Sequence, residues 1–311
     1  SVAFWLFVPG IIGARLFYLI EYWPEQYLPV YQQHGLRALL VALIDVSSGG
    51  LVVYGSFLGA VTGLLAFVRK YRLPLLAVCD LIAPSIMLGM FLGRLGCLAN
   101  GCCYGGACDR PWAITFPPEA PPYLEQVARG QMAGMLFDGD PKAPPVLLAV
   151  DPQSAAAKAG LKPGDQLTKL NGYEVKGAGH VHGLLREAFK QRQPLIIEIE
   201  NRAPIRLDPM PVPARSHPIH PTQIYSSLNA LVLCLLLLAY DPFRRRDGEL
   251  FALMLSVYPI ARFLLEIIRT DESSVFGTGL SISQNVSLAL LLAASGLWCY
   301  ILTRPPGRAF G

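Results

Sequence analysis

Charge is what this chain has least of. Only 15% of its 311 residues are Asp, Glu, Lys or Arg, and 26 basic against 22 acidic residues leave a formal net charge of +4. Soluble domains usually carry about 25% charged residues, so a purely water-facing globule is excluded. The basic residues fall in short clusters and build no broad face, which argues against nucleic acid as a partner. Two signatures of membrane-embedded proteases are also missing, the HExxH zinc helix and a GxSG-type serine. The opening run, SVAFWLFVPG, has neither an initiator Met nor a basic flank, so it does not read as an intact signal peptide. The chain is expected to start part-way into a longer protein.

Apolar length is what it has instead. Hydrophobic residues make up 53% of the chain, and its mean hydropathy is positive. Six segments, about 2–20, 50–68, 75–93, 221–240, 250–268 and 282–302, reach the roughly 20 residues that a bilayer crossing needs. The run Leu36 to Ile44 is too short to cross and is expected at the interface. Arg69, Lys70 and Arg72, then Arg244, Arg245 and Arg246, then Arg304 and Arg308 follow alternate spans. By the positive-inside rule these face the cytoplasm, which places residues 21–49, 94–220 and 269–281 outside and the N-terminus inside.

Polar residues within such spans mark function more often than packing. Arg15, Tyr18 and Tyr22 share one face near the outer end of the first span. Gly55, Gly59 and Gly63 in the second span, and Gly89 and Gly93 in the third, predict helices packed backbone to backbone, either with each other or with neighbours. Tyr54 stands at the outer end of that ladder. Asp80 reads as a helix-end or packing group. The third span closes on GRLGCLANGCCYGG, Gly93–Gly106, where Arg94 can fork onto a phosphate or carboxylate and the glycines admit close neighbours. In the fifth span Tyr258, Arg262, Glu266 and Arg269 recur at i, i+4, i+8 and i+11 and so form one polar stripe. Two arginines, a glutamate and a tyrosine in the outer half of a bundle read as a site for an anionic head group.

From Pro111 to Pro218 the sequence turns polar and proline-rich, too long for a simple loop. Ala149–Gly172 reads strand, short helix, turn, strand, turn; a helical pattern from His182 to Gln191 and the strand PLIIEIE follow. This stretch resembles the core of a bacterial PDZ domain at about 125–212. The resemblance implies either a peptide ligand captured by strand addition or a purely structural cap. The chain returns to the membrane at HPIHPTQIY. His217 and His220 precede the helix, Pro221 suits its first turn, and Gln223 and Tyr225 lie just inside. Two histidines without a third ligand do not make a metal site. Cys97, Cys102, Cys103 and Cys108, spaced C-x4-CC-x4-C, match no common zinc pattern, so no metal and no cofactor is expected. Outside the cytoplasm they could form a disulfide, pack as small apolar thiols, or supply a nucleophile that lacks a visible base.

Four motifs in order, GGLVVYGSFLG, DLIAPSIMLGMFLGRLGCLANGCCYG, HPTQIYSSL and YPIARFLLEIIRTDE, closely resemble the prolipoprotein diacylglyceryl transferase family across some 200 residues of the membrane part. That resemblance implies an α-helical polytopic membrane protein with a small α+β PDZ-like domain inserted outside the membrane. Its parts would be a first bundle segment 1–110, an extracytoplasmic head 111–218 and a second bundle segment 219–311. The family has seven spans with its N-terminus outside; six starting inside agrees if the first is left off. The implied reaction transfers a diacylglyceryl group from phosphatidylglycerol to the lipobox cysteine of a preprolipoprotein, in the bacterial inner membrane with the site toward the periplasm. Arg94, Arg262, Glu266 and Tyr54 would then be catalytic, while Arg15, Asn100, Gly105, Gln223, Tyr225, Tyr258 and Arg269 would bind substrate. The family's usual His-Gly-Gly is Tyr54, Gly55 and Ser56 here, its first signature Asn is Cys97, and its signature Glu is Cys102. A non-catalytic lipid- or peptide-binding relative that works through the PDZ-like unit is the alternative.

Overall fold

The computed structural model describes residues 1–44, 52–200, 202–269 and 279–310. Its helices and strands run α1 (Val2–Glu21), α2 (Leu28–Ile44), α3 (Val53–Tyr71), α4 (Leu75–Asn100), α5 (Pro121–Ala128), β1 (Met135–Phe137), β2 (Leu147–Val150), α6 (Ala155–Lys158), β3 (Leu167–Leu170), β4 (Tyr173–Glu174), α7 (Ala178–Gln191), β5 (Leu195–Ile199), β6 (Ile205–Leu207), α8 (Thr222–Tyr240), α9 (Glu249–Glu266) and α10 (Ile282–Leu302). Four helical stretches among the described residues are long and apolar enough to cross a membrane: Val2–Glu21, Leu75–Asn100, Thr222–Phe243 and Ile282–Leu302. The other two expected spans also form helices, α3 of 19 residues and α9 of 18. Arg69 and Lys70 with three glycines, a serine and a threonine dilute the apolarity of α3, and Glu249, Arg262 and Glu266 charge α9. Residues 45–51, with the start of the first motif, and 270–278, with most of the expected outer loop at 269–281, lie outside the described residues.

The chain divides into two compact units, Ser1–Ile82 with Arg244–Phe251 and Pro305–Gly311, and Ala83–Phe243 with Ala252–Arg304. In the first, α1 and α3 zip together. A Cβ on Gly55 would lie 2.3 Å from the Gly13 carbonyl oxygen, one on Gly59 2.1 Å from that of Pro9, and one on Gly63 1.9 Å from that of Trp5. Only glycine lets the two backbones come so near. The ladder of α3 therefore meets the first helix. Gly89 and Gly93 of α4 have nothing within 4 Å of where a side chain would start, so the close packing expected of them is absent among the described residues. Helix α2 kinks at Gly35, whose φ of 75° leaves the segment from Leu36 as a short helix of its own. Asp80, 1% exposed, pairs with Arg244 at 2.9 Å and accepts from the amides of Gly248 at 2.6 Å and Phe251 at 2.9 Å. Those amides are orphan donors of the first turn of α9, so Asp80 caps that helix from a distant part of the chain.

In the second unit α8 runs along α4, with Ser227 Oγ donating to the Phe91 carbonyl at 3.1 Å and Cys234 Sγ contacting the Pro84 carbonyl at 3.3 Å. Helices α9 and α10 meet where Trp298 Nε1 donates to Ser256 Oγ at 3.0 Å. Between α4 and α8 lies an α+β body. Its antiparallel sheet has the order β4-β3-β5-β6, beside a β1–β2 ribbon. The alternating burial of β5, Leu195 and Ile197 in and Ile196 out, and the buried face of α7 (Val181, Leu185, Ala188), close one hydrophobic core with Leu147, Leu167 and Leu170. The strand, helix and turn order expected of Ala149–Gly172 is present, with Gly164 (φ 91°), Asn171 (φ 51°) and Gly172 (φ 80°) making the turns. Helix α5 lies on α7, the Tyr123 and Phe189 rings 5.9 Å apart. The amides of Met135 and Phe137 in β1 are bonded to the carbonyls of Gly130 and Arg129.

Candidate functional site

Helix α4 ends in a Schellman turn. The Cys102 amide returns to the Cys97 carbonyl at 3.0 Å and the Gly101 amide to Leu98 at 3.2 Å, with Gly101 in the left-handed region at φ 77°. That turn folds the signature loop back over the last turn of its own helix. Cys103 then takes φ 57°, a left-handed conformation that a non-glycine residue adopts at some cost. As a result the sulfurs of Cys97, Cys102 and Cys103 lie within 4.8 Å of one another, all half-buried and all free thiols.

The re-entry segment holds this loop from the other side. Thr222 Oγ1 donates to the Cys103 carbonyl at 2.7 Å and Gln223 Nε2 to the Cys102 carbonyl at 2.8 Å. A carbonyl can only accept, so that bond fixes the amide orientation of Gln223 and leaves its Oε1 buried with no hydrogen-bond partner among the described residues. The Gly105 amide donates to the His220 carbonyl at 3.0 Å, and a Cβ on Gly105 would meet His220 Cβ at 2.7 Å and Thr222 Cγ2 at 2.8 Å. The requirement for glycine there is steric. The Gly106 amide goes on to the Ile268 carbonyl at 3.1 Å, which ties the loop to the residue before Arg269. Tyr225 accepts from Trp112 Nε1 at 2.7 Å and lies 3.3 Å from His220 Nδ1.

At the end of α9, Glu266 is 5% exposed and holds two guanidinium groups. Arg262 pairs with its Oε2, Arg269 lies 3.8 Å from the same oxygen, and Ser281 Oγ donates to Oε1 at 3.2 Å. Arg262 also reaches Ser283 Oγ at 2.8 Å. Ser281 and Gln284 form the capping box that starts α10, so one serine both caps a helix and braces the glutamate. Glu266 thus holds two guanidinium groups side by side at the end of α9.

The structure thus brings Arg262, Glu266 and Arg269 together, and separately joins Gly105, Gln223 and Tyr225 to the signature loop or its neighbours. Arg94 is half-buried and makes no hydrogen bond or ion pair among the described residues. Tyr258 is half-buried on α9, and Asn100 is exposed at the end of α4. Tyr54 and Arg15 belong to the other unit. Tyr54 is 59% exposed, whereas Arg15 donates to the carbonyls of Ala42 at 2.7 Å and Leu43 at 3.1 Å near the end of α2. Sequence reading missed Ser281, Ser283 and Thr222. The S-x-x-Q spacing of Ser281 and Gln284 carries the signal for the first of them.

Beside the signature loop lies a cleft of about 520 Å³. Tyr104, Gly105, Gly106 and His217 line one wall, while Glu125 and Arg129 of the α+β body line the other. Tyr104 donates to Glu125, which pairs with Arg129 at 3.7 Å. Deeper in that body, burial pushes the Tyr123 phenol up. Burial also lowers the pKa of the His182 imidazole, an effect that the Arg129 and Arg186 charges add to and the hydrogen bond with the Asp138 backbone opposes.

Comparison with known proteins decides the family. The profile described as prolipoprotein diacylglyceryl transferase matches residues 1–300. The chain belongs to that family. Among relatives named phosphatidylglycerol-prolipoprotein diacylglyceryl transferase, that of Rhodopirellula baltica is 32% identical over 322 residues, covering 94% of this chain and 64% of its own. That of Bordetella bronchiseptica is 25% identical over 301 residues, covering 96% and 75%, and that of Thermosynechococcus vestitus 33% over 129 residues, covering 41% and 44%. The chain therefore spans slightly under two thirds of the length of the Rhodopirellula relative.

Proposed function

We propose that this chain transfers a diacylglyceryl group from phosphatidylglycerol to the cysteine thiol of a preprolipoprotein lipobox. The observation that carries this reading is the braced guanidinium cluster at the end of α9, where buried Glu266 holds Arg262 and Arg269 side by side and Ser283 Oγ takes a further donor of Arg262. Phosphatidylglycerol brings one negative phosphate. A preorganised guanidinium in a low-dielectric setting stabilises the charge that develops on the leaving glycerol phosphate. In the step itself the acceptor sulfur forms a bond to the terminal glyceryl carbon, and the carbon–oxygen bond to the phosphate breaks with its electron pair. Arg94 is the second cation of the clamp. Its lack of a protein partner among the described residues leaves its five donors for an anion. The guanidinium charges also favour the thiolate over the thiol of the acceptor cysteine. Asn100, Gly105, Gln223, Tyr225 and Tyr258 are assigned to shaping the substrate site. Tyr54 takes the position of the family's histidine, and Arg15 supports the outer end of the first helix.

The open faces around Gly89, Gly93 and Gly96 of α4 support lateral access for acyl chains. The Tyr104–Glu125 cleft suits the acceptor's polypeptide, because its wall is the same Gly105–Gly106 stretch that reaches α9. We assign α3 and α9 to the membrane as well, giving six spans in a bacterial inner membrane with the site on the periplasmic side, as the basic clusters favour. We read the α+β body as PDZ-like. Its strand and turn order supports that reading, and α5 lying on α7 favours a structural role; strand addition at β1 would have to displace the Gly130 and Arg129 carbonyls that already accept from its amides.

The test is incubation of the membrane-reconstituted chain with phosphatidylglycerol and a lipobox peptide. A mass gain of one diacylglyceryl group is expected, and Arg94→Ala and Arg262→Ala should each abolish it while the protein stays membrane-inserted. Full activity in either variant removes the anion clamp. The two signature replacements, Cys97 and Cys102, favour a second reading as a non-catalytic relative, which predicts peptide or lipid binding without any mass gain.

A further inference from the structure

We propose that Cys97, Cys102 and Cys103 form a trithiolate site for a soft d10 cation, of the class of Cu(I), Zn(II) or Cd(II). Their spacing in sequence matches no common zinc motif. The Schellman turn changes that, because it places Cys102 directly over Cys97, and the left-handed Cys103 turns a third sulfur toward the same point. All three sulfurs lie within 4.8 Å of one another. Metal–sulfur bonds of about 2.3 Å in a trigonal plane put sulfurs about 4.0 Å apart, which small side-chain rotations here can supply. A disulfide needs two sulfurs at about 2.05 Å and leaves the third without a role.

The backbone that carries the ligands is already fixed. Thr222 and Gln223 hold the carbonyls of Cys103 and Cys102, and Gly105 locks the loop against His220. A site that is held before it binds loses less freedom on binding. Half-burial leaves the thiols reachable by an ion while shielding them from bulk water. Thiolates are the soft donors that such cations select. On binding, each thiol releases its proton to solvent, and no electron moves. Three thiolates and one divalent ion leave a single negative charge, and Arg94, three residues before Cys97 and hence on the same helix face, supplies the counter-charge.

The experiment uses the full chain in detergent, reduced with a phosphine and titrated with cadmium chloride. We expect one Cd(II) per chain and a thiolate-to-cadmium charge-transfer band in the ultraviolet. Cys97→Ser, Cys102→Ser and Cys103→Ser should each weaken the band and the affinity at least tenfold, while Cys299→Ser, on the exposed face of α10, leaves both unchanged. A second measurement needs no variant: saturating Cd(II) should protect these three cysteines together from maleimide, mapped by peptide mass. Absence of the band, its loss in Cys299→Ser, or undiminished alkylation of any of the three overturns the proposal. So does a disulfide among them that survives the phosphine. Binding is read without lipid or acceptor peptide, so its failure and a failure of the transferase reading are seen separately.

Discussion

Glu266 has to satisfy two guanidinium groups and a serine hydroxyl with two oxygens, from a position that water hardly reaches. Replacing it by Gln keeps the volume and one acceptor but removes the charge that lets Arg262 and Arg269 lie together. Breaking a buried pair by removing one partner typically costs about 3–5 kcal/mol. Loss of a preorganised charge stabiliser typically lowers turnover about 100-fold or more. For Glu266→Gln we expect both, a lower unfolding midpoint in detergent and a lipid-transfer rate down by about two decades. A variant that unfolds earlier yet transfers at the normal rate would show that the glutamate only holds the helix end together. The stripe of Tyr258, Arg262, Glu266 and Arg269 was legible in the sequence because helical periodicity alone puts those residues on one face. The partners Ser281 and Ser283 were not, since they come from a different helix and only its first turn brings them near. Gly105 shows the same split. Its place in the signature is readable, but its reason, the His220 and Thr222 atoms that a methyl group would strike, belongs to tertiary structure.

Between elements, the α1–α3 seam makes the sharpest demand. Gly63 packs with its Cα against the Trp5 carbonyl, so a methyl group there would sit at 1.9 Å, a distance that no side-chain rotation relieves. Gly63→Ala must part the two backbones. Overpacking of this kind costs about 1–3 kcal/mol or more. We expect its unfolding midpoint to drop clearly, while Gly89→Ala on α4, with nothing within 4 Å, leaves the midpoint unchanged or raises it. Equal effects from the two substitutions would mean that helix propensity, and not contact, sets the outcome. Small residues four apart state that a backbone approaches closely; they do not say whose. That is why the sequence reading found the ladder on α3 but left its partner open, and why it expected close packing on α4 where the structure has open surface. The closeness of the Cys97, Cys102 and Cys103 thiols was not legible for a related reason. Spacing counted along the chain is blind to a turn that reverses it, and Gly101 is the residue that reverses it.

At the scale of the whole molecule, one buried ion pair ties together three stretches far apart in sequence. Asp80 near the start of α4 binds Arg244 in the loop before α9, and Arg308 in the C-terminal tail donates through Nε to the Arg244 carbonyl at 2.8 Å. Arg244 also reaches the Phe310 carbonyl at 3.2 Å. Arg244 was read from the sequence only as one member of a positive-inside cluster, a role that any lysine or arginine there could fill. Its burial, 8% exposed against a half-buried Arg246 and an exposed Arg245, gives it a second role beside Asp80. The two roles separate by mutation. Arg244→Ala leaves the Asp80 carboxylate buried with two backbone donors but no counter-charge, for a loss of about 3–5 kcal/mol. Arg69→Ala removes an equal charge from an exposed position in the last turn of α3, where a change within about 0.5 kcal/mol is expected. Thermal unfolding of the two variants in the same detergent is the measurement. If Arg69→Ala destabilised as much as Arg244→Ala, the basic residues on this side would act through the summed field of the cluster. If only Arg244→Ala does, the pair with Asp80 holds the start of α9 in register, and α9 is the helix that carries Arg262 and Glu266.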